Sequence, residues 1–210
     1  MQSKIASIKR LLSSKHKVSC HYLIDRKGKI FKMIEDNRVA WHAGKSKWKN
    51  IKNLNKNSVG IELVNKGHEH GYQKFTTSQI NQLIKLCLIL KRKYKIKNSH
   101  IVGHSDIAPL RKQDPGEKFP WKKLKEKNLG FWFKNVKFKN KKYQDKKVKE
   151  LFFKNILKIG YRYFSIKKRN KEDLLVVKAF QRRFLQNNVT GKIDQKTYKI
   201  SHFLASQVKN

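Results

Sequence analysis

Cysteine is almost absent from this sequence. Cys20 and Cys87 are the only two in 210 residues, and they stand far apart in unlike contexts. That excludes a disulfide framework and a cysteine-based zinc knuckle; Cys87, on the apolar stripe of a helical pattern, is expected to be a core thiol. Proline is nearly as scarce: all three lie between residues 104 and 121. No stretch is long and apolar enough to span a membrane, and residues 1–10 hold no apolar signal core. Two expectations follow: the protein stays inside the cell, or its true start lies upstream of Met1.

Acidic residues are also few, 14 Asp and Glu against 52 Lys and Arg, for a net charge of +38. Such a charge draws polyanions, with nucleic acid and anionic cell-wall polymer as the two obvious classes. Only 9 of the 52 are Arg, however, and the lysines are scattered along the whole chain. Asn and Ile are abundant too, which fits the codon drift of an AT-rich genome. A nucleic-acid footprint is clustered and carries an aromatic-basic reading motif; neither is present, so nucleic acid is not an expected partner. The 12 Phe, 7 Tyr and 4 Trp, within 38% hydrophobic residues, argue against wholesale disorder. The length suits one ordinary domain and a small second one.

Apolar periodicity predicts a helix over residues 3–12, with Ser3 as N-cap and Ile5, Ile8 and Leu12 on one face. Residues 21–25 and 29–34 read as a hairpin turned at Gly28. The apolar run 58–64 reads as a strand in a central position. The clearest helix spans 76–95, with a capping box of Thr76 and Gln79 and a stripe of Ile80, Leu83, Ile84, Cys87, Leu88 and Tyr94. Residues 100–103 read as a short strand. The irregular stretch from 104 to 121 is the kind that carries function inside a compact domain. Residues 131–147 are Lys-rich and read as a linker. Beyond them, 148–159, 171–186 and 194–206 form three helical patterns. The fold class expected is α/β: a mixed central sheet flanked by helices over 1–130, and a three-helix bundle over 148–210.

Some of these residues suit chemistry. His104 follows a strand directly, and Asp114 lies ten positions on in the irregular loop. A strand end and a returning loop can bring nitrogen and oxygen donors to one ion, and zinc accepts both; the pair alone is equally compatible with a surface loop. Glu62 is an acid inside an apolar strand, which is costly to bury without a reason. It is either a salt-bridged side chain or a general base raised in pKa by burial. His42 sits in Ala40-Trp41-His42-Ala43-Gly44, where small residues flank a pair able to stack on and hydrogen-bond a ligand. His21 precedes a strand and could point toward the same face.

Four segments taken in order are more specific than any one of them. They are Cys20-His21-Tyr22-Leu23-Ile24-Asp25, Ala40-Trp41-His42-Ala43-Gly44, Val59-Gly60-Ile61-Glu62, and residues 103–116 continuing through Phe119-Pro120-Trp121. Over about residues 1–125 the chain resembles the type-2 zinc N-acetylmuramoyl-L-alanine amidases, whose fold is shared by phage amidases and animal peptidoglycan recognition proteins. The resemblance implies that His104 and Asp114 are two of three zinc ligands. It implies that Glu62 activates the attacking water and that Lys112 stabilises the oxyanion. Trp41, His42 and His21 are then expected to bind substrate. Leu157-Lys-Ile-Gly160-Tyr161, Val177-Lys-Ala179-Phe180-Gln181-Arg182-Arg183-Phe184 and Thr190-Gly191 through Thr197 resemble the three-helix peptidoglycan-binding domain.

One departure stands out. The family begins with a core strand that ends in the first zinc-ligand histidine, and here Met1 falls where the following turn would be. No residue of the chain matches that ligand, which is expected upstream of Met1. Otherwise His21 or a water completes the site, or only wall binding remains. The expected function is cleavage of the amide between N-acetylmuramic acid and L-alanine in peptidoglycan or muropeptides, with zinc as cofactor. The alternative is a non-catalytic peptidoglycan-binding protein. A monomer is expected, placed by its substrate in the cell envelope or periplasm, with the cytoplasm left open.

Overall fold

The computed structural model describes residues 3–133 and 145–208. Most of the Lys-rich segment expected as a linker lies outside the described residues. Helix α1 (Lys4–Leu12) begins where the Ser3 hydroxyl accepts the Ala6 N–H at 3.2 Å, the cap that the sequence predicts. Strands β1 (Tyr22–Ile24) and β2 (Ile30–Lys32) pair antiparallel, with Tyr22 opposite Lys32. A two-stranded hairpin, β3 (Lys47–Trp48) and β4 (Ile51–Lys52), follows; the sequence patterns do not single it out. Strand β5 (Ile61–Leu63) then joins β1 in parallel, with Leu23 opposite Glu62. The sheet is mixed, in the order β2-β1-β5.

Two strand expectations need correcting. The apolar run 58–64 is not central: β1 is the middle strand, and its Leu23 and Ile24 are wholly buried. The three residues of β5 stay partly open, because its outer edge meets no strand among the described residues. Residues 100–103 are not a strand either. A short 3-10 turn (Asn98–His100) leads into an extended segment that joins no ladder. A strand is defined by hydrogen bonds to a neighbour, and no neighbouring strand occurs there among the described residues.

Helix α2 (Thr77–Lys93) is capped by the Thr76 hydroxyl, which accepts the Gln79 N–H at 3.2 Å. The return bond of a capping box is not made. Gln79 Nε2 instead donates to the carbonyls of Ile24 at 3.0 Å and Val64 at 3.1 Å, fastening the helix across the ends of β1 and β5. Ile80, Leu83, Ile84, Leu86 and Leu90 form the buried face. Leu88 and Tyr94, expected in that stripe, are 42% and 43% exposed. Leu88 falls beside the stripe at 100° per residue, and Tyr94 lies past the last turn with its hydroxyl on Asp36 at 2.9 Å.

The chain continues through the single turn α3 (His104–Ile107) and α4 (Trp121–Glu126) to α5 (Asp145–Ile159), α6 (Asp173–Phe184) and α7 (Gln195–Ser206). Phe152, Phe153, Ile156, Phe180 and Leu204 fill the space between the last three helices, with Phe152 and Phe180 edge to face at 5.3 Å. This core does not end at the bundle: Ala43, Trp48, Leu54, Ile107 and Ala108 belong to the same buried cluster. The Lys49 N–H donates to the Gly160 carbonyl at 2.8 Å, and Gln186 Nε2 to the Phe119 carbonyl at 2.6 Å. The bundle is thus packed against the sheet-bearing part. No helix among the described residues is long and apolar enough to cross a membrane.

Gln79→Leu keeps the volume but removes the Nε2 donor from the Val64 carbonyl and from the Ile24 carbonyl, which retains only the Val64 N–H at 3.0 Å. Urea unfolding is expected to report a loss of about 2 kcal/mol.

Candidate functional site

Helix α3 brings the two candidate metal ligands together. Its first residue, His104, sets Nδ1 3.1 Å from Asp114 Oδ2, while Nε2 on the far side of the ring lies 3.1 Å from the Ala43 carbonyl. The next residue, Ser105, donates its N–H to the Asp114 carbonyl at 2.8 Å, which fixes the returning loop against the helix start. Gly103 permits this approach: a Cβ there would stand 2.6 Å from Pro115 Cδ. Two donors on a tetrahedral zinc with bonds of about 2.0–2.1 Å sit roughly 3.3 Å apart. The spacing and the N/O donor types therefore fit zinc. The number does not, since no group of three His, Cys, Asp or Glu able to hold a metal occurs among the described residues.

Glu62 and Lys112 line the same cleft, of about 1340 Å³, as His104 and Asp114. Burial pushes the Glu62 carboxyl up to about 7, with the Asp114 charge adding to the rise and His104 and Lys112 opposing it. Asp114 goes the other way. Partial desolvation works to raise it, but the hydrogen bond from His104 and the charges of His104 and Lys112 prevail and hold it below the usual carboxylate range. Its side chain stays 57% exposed toward the cleft. The site thus offers one carboxylate suited to a cation and one poised near neutrality to move a proton.

The other predicted residues divide. Trp41, 53% exposed, lies on the cleft wall. His42 lies beside it; a Cβ on Gly60 would be 2.2 Å from its ring, so only glycine lets the ring lie there. Burial first, then the neighbouring His21 and His104, pull the His42 pKa down to about 4, so the ring is neutral. His21 does not fit the expectation of a ligand or substrate contact. It is 1% exposed, its Nδ1 accepts the Gly60 N–H at 3.0 Å, and its Nε2 lies 3.0 Å from the Arg38 carbonyl. Both nitrogens are committed to the backbone, and the ring, edge to face with His42 at 5.5 Å, is a support for it. Cys20, buried near Glu62, is pushed up to about 12 by desolvation and the Glu62 charge, which makes it an inert thiol.

Sequence reasoning passed over Arg111. Its guanidinium donates to the Ala43 carbonyl and, at 3.0 Å, to the Lys45 carbonyl, joining the Trp41–His42 loop to the Asp114 loop. Its place one residue before Lys112 in the long motif was the available signal. The cleft has a second feature: the open edge of β5 and the extended residues 101–103 both line it, with Leu83, Cys87 and Leu90 of α2.

A sequence profile of the N-acetylmuramoyl-L-alanine amidase family matches residues 2–117. N-acetylmuramoyl-L-alanine amidase AmiD of Escherichia coli is 32% identical over 202 residues, spanning 89% of this chain and 73% of the relative. The 1,6-anhydro-N-acetylmuramyl-L-alanine amidase AmpD of Haemophilus influenzae is 40% identical over 108 residues, 51% of this chain and 56% of its own length. The solved Escherichia coli AmiD, complexed with anhydro-N-acetylmuramic acid-L-Ala-D-gamma-Glu-L-Lys, superposes with a TM-score of 0.86 at 29% identity, covering 98% of this chain and 85% of that one. AmpDh3 of Pseudomonas aeruginosa, in complex with anhydromuramic pentapeptide, gives 0.84 at 28% identity, covering 99% and 89%.

The Glu62 shift carries a stability consequence for the metal-free protein. A folded pKa raised from 4.5 to about 7 gives stability that is present at low pH and lost as pH rises through about 7. Glu62→Gln should therefore unfold at higher urea than the parent at about pH 8, by about 1–3 kcal/mol, and the gap should close by about pH 4.

Proposed function

This chain belongs to the N-acetylmuramoyl-L-alanine amidase family, and from that membership we propose that it hydrolyses the amide between the lactyl carbonyl of N-acetylmuramic acid and the first L-alanine of peptidoglycan or a muropeptide. The observation that carries this reading is Glu62: a carboxyl brought near neutrality, in one cleft with the His104–Asp114 pair and Lys112. In the proposed reaction Glu62 takes a proton from the attacking water and delivers it to the departing alanine nitrogen, so the products are a lactyl carboxylate and a free peptide amine. Lys112 faces the oxygen that gains negative charge. Trp41 offers a flat apolar face for the sugar, and neutral His42 a hydrogen-bonding edge beside it.

His104 Nδ1 and Asp114 Oδ2 are the proposed zinc donors. Zinc held there would supply Lewis acidity at the scissile carbonyl. The third donor, in this reading, comes from an extended segment entering beside β5. Three features support that. The outer edge of β5 meets no strand among the described residues, residues 101–103 are already extended, and apolar side chains of α2 line the space they share with the cleft. A strand there would satisfy backbone groups on both sides. Wall binding without catalysis draws support only from the missing donor, and it leaves the near-neutral Glu62 unexplained.

The test incubates a 1,6-anhydro-muropeptide and zinc with two forms: the 210-residue chain, and that chain preceded by a strand ending in histidine. Mass spectrometry should detect free peptide from the extended form, at least about 100-fold faster than from the shorter one, whose two donors hold zinc weakly. Absence of free peptide from the extended form ends the hydrolase reading. In that form Lys112→Met should lower kcat by about 10²–10³ with little change in KM.

A further inference from the structure

Helix α3 is too short to hold itself. It has four residues, closed by the Ala108 N–H on the His104 carbonyl at 2.9 Å and the Asp106 N–H on the Gly103 carbonyl at 3.1 Å, and a lone turn in isolation does not persist. Yet both candidate metal donors hang from it: His104 is its first residue, and Asp114 is fixed through the Ser105 N–H.

What braces α3 is Asp106, 1% exposed, and its main partners come from the helical bundle. Asp106 Oδ2 accepts the Gly103 N–H at 2.8 Å and Arg183 Nη1 at 2.6 Å; Oδ1 accepts the Tyr161 hydroxyl at 2.6 Å. Arg183, on α6, also donates from Nη2 to the Ile101 carbonyl at 3.0 Å, and its guanidinium carbon lies 4.0 Å from the centre of the Trp121 ring. Tyr161, just past α5, packs edge to face on Trp48 at 5.1 Å. The carboxylate is therefore fixed from two directions by residues about 55 and 77 positions later in the chain. A buried ion pair of this kind is a poor source of net stability, because desolvation offsets its attraction. Its distinctive contribution is orientation: three donors in fixed directions leave Asp106, and the turn that carries it, one position.

We infer that Arg183 and Tyr161 of the helical bundle are positioning residues for the metal site, holding α3 through Asp106 so that His104 and Asp114 meet. The bundle is then part of the catalytic architecture as well as a candidate wall-binding unit. The inference rests on the reading of His104 and Asp114 as metal donors, but its main test needs no metal.

Full-length chain, metal-free, is labelled for NMR as parent, Tyr161→Phe, Arg183→Met and Arg183→Lys. The amides of Gly103 and Ser105 should exchange at least tenfold faster in Tyr161→Phe and Arg183→Met, and the His104 ring resonances should move. Amides within α5 and α7 should keep their parental rates, and Arg183→Lys, which retains the charge, should recover part of the loss. Folded variants with parental exchange at Gly103 and Ser105 and an unmoved His104 ring overturn the inference, and so does a uniform rise in exchange across all helices. If Arg183→Met fails to fold, Tyr161→Phe, which removes one hydroxyl, decides alone. Competition against a chromophoric chelator adds a separate readout. Zinc should bind the folded Tyr161→Phe variant about tenfold more weakly than the parent. A parent that takes no zinc at all, even with the added N-terminal strand, defeats the amidase reading while the exchange data still decide the brace.

Discussion

A carboxylate sealed from water has to find its hydrogen bonds in the protein, and at Asp106 this requirement joins the two parts of the molecule. The acid needs donors on both oxygens. One comes from the neighbouring backbone at Gly103, and two come from Arg183 and Tyr161 of the helical bundle. Around that point the buried cluster runs without a break from Phe152 and Phe180 to Trp48, Ile107 and Ala108. The short turn bearing His104 thus sits on a foundation built largely by residues far away in sequence.

Three carboxyl groups near the cleft meet three different environments, and the differences follow from placement alone. Asp106 is enclosed and fully bonded. Asp114 keeps a solvent-facing side chain and is stabilised as an anion chiefly by the hydrogen bond from His104. Glu62 is half-buried in a parallel strand near a second acid, and desolvation together with that charge raises its carboxyl to about 7. In the proposed reading this separation matches three tasks: a structural anion, a metal-facing anion and a proton carrier. The excess of Lys over acid in the chain does not predict this division, because screening makes the distant surface charges weak compared with neighbours a few ångströms away.

The open side of the sheet is the other organising feature. Among the described residues β5 pairs on one edge only, and residues 101–103 lie extended without a ladder. Glu62, His104 and Lys112 line the cleft that these segments border. In the proposed reading, a group completing the site approaches along that edge.

The sequence by itself determined what depends on near neighbours in the chain. Ser3 and Thr76 as caps, the hairpin about Gly28, and the helices over 77–93, 145–159, 173–184 and 195–206 all follow from local spacing and hydrogen-bonding capacity. The four ordered motifs also made the family and the candidate Glu62, His104, Lys112 and Asp114 legible. Tertiary structure alone decided the rest. Residues 100–103 look like a strand but join no ladder among the described residues, Gln79 spends its amide on β1 and β5 instead of its own helix, and His21 gives both nitrogens to the backbone. Arg111 was signalled only by its place beside Lys112, and neither it nor Arg183 announces its acceptors locally, because these lie tens of residues away. A helix closes its own bonds within four residues, so its sequence suffices to announce it; a strand, a buried amide or a guanidinium is defined by the partner it meets, and that partner exists only once the chain has folded.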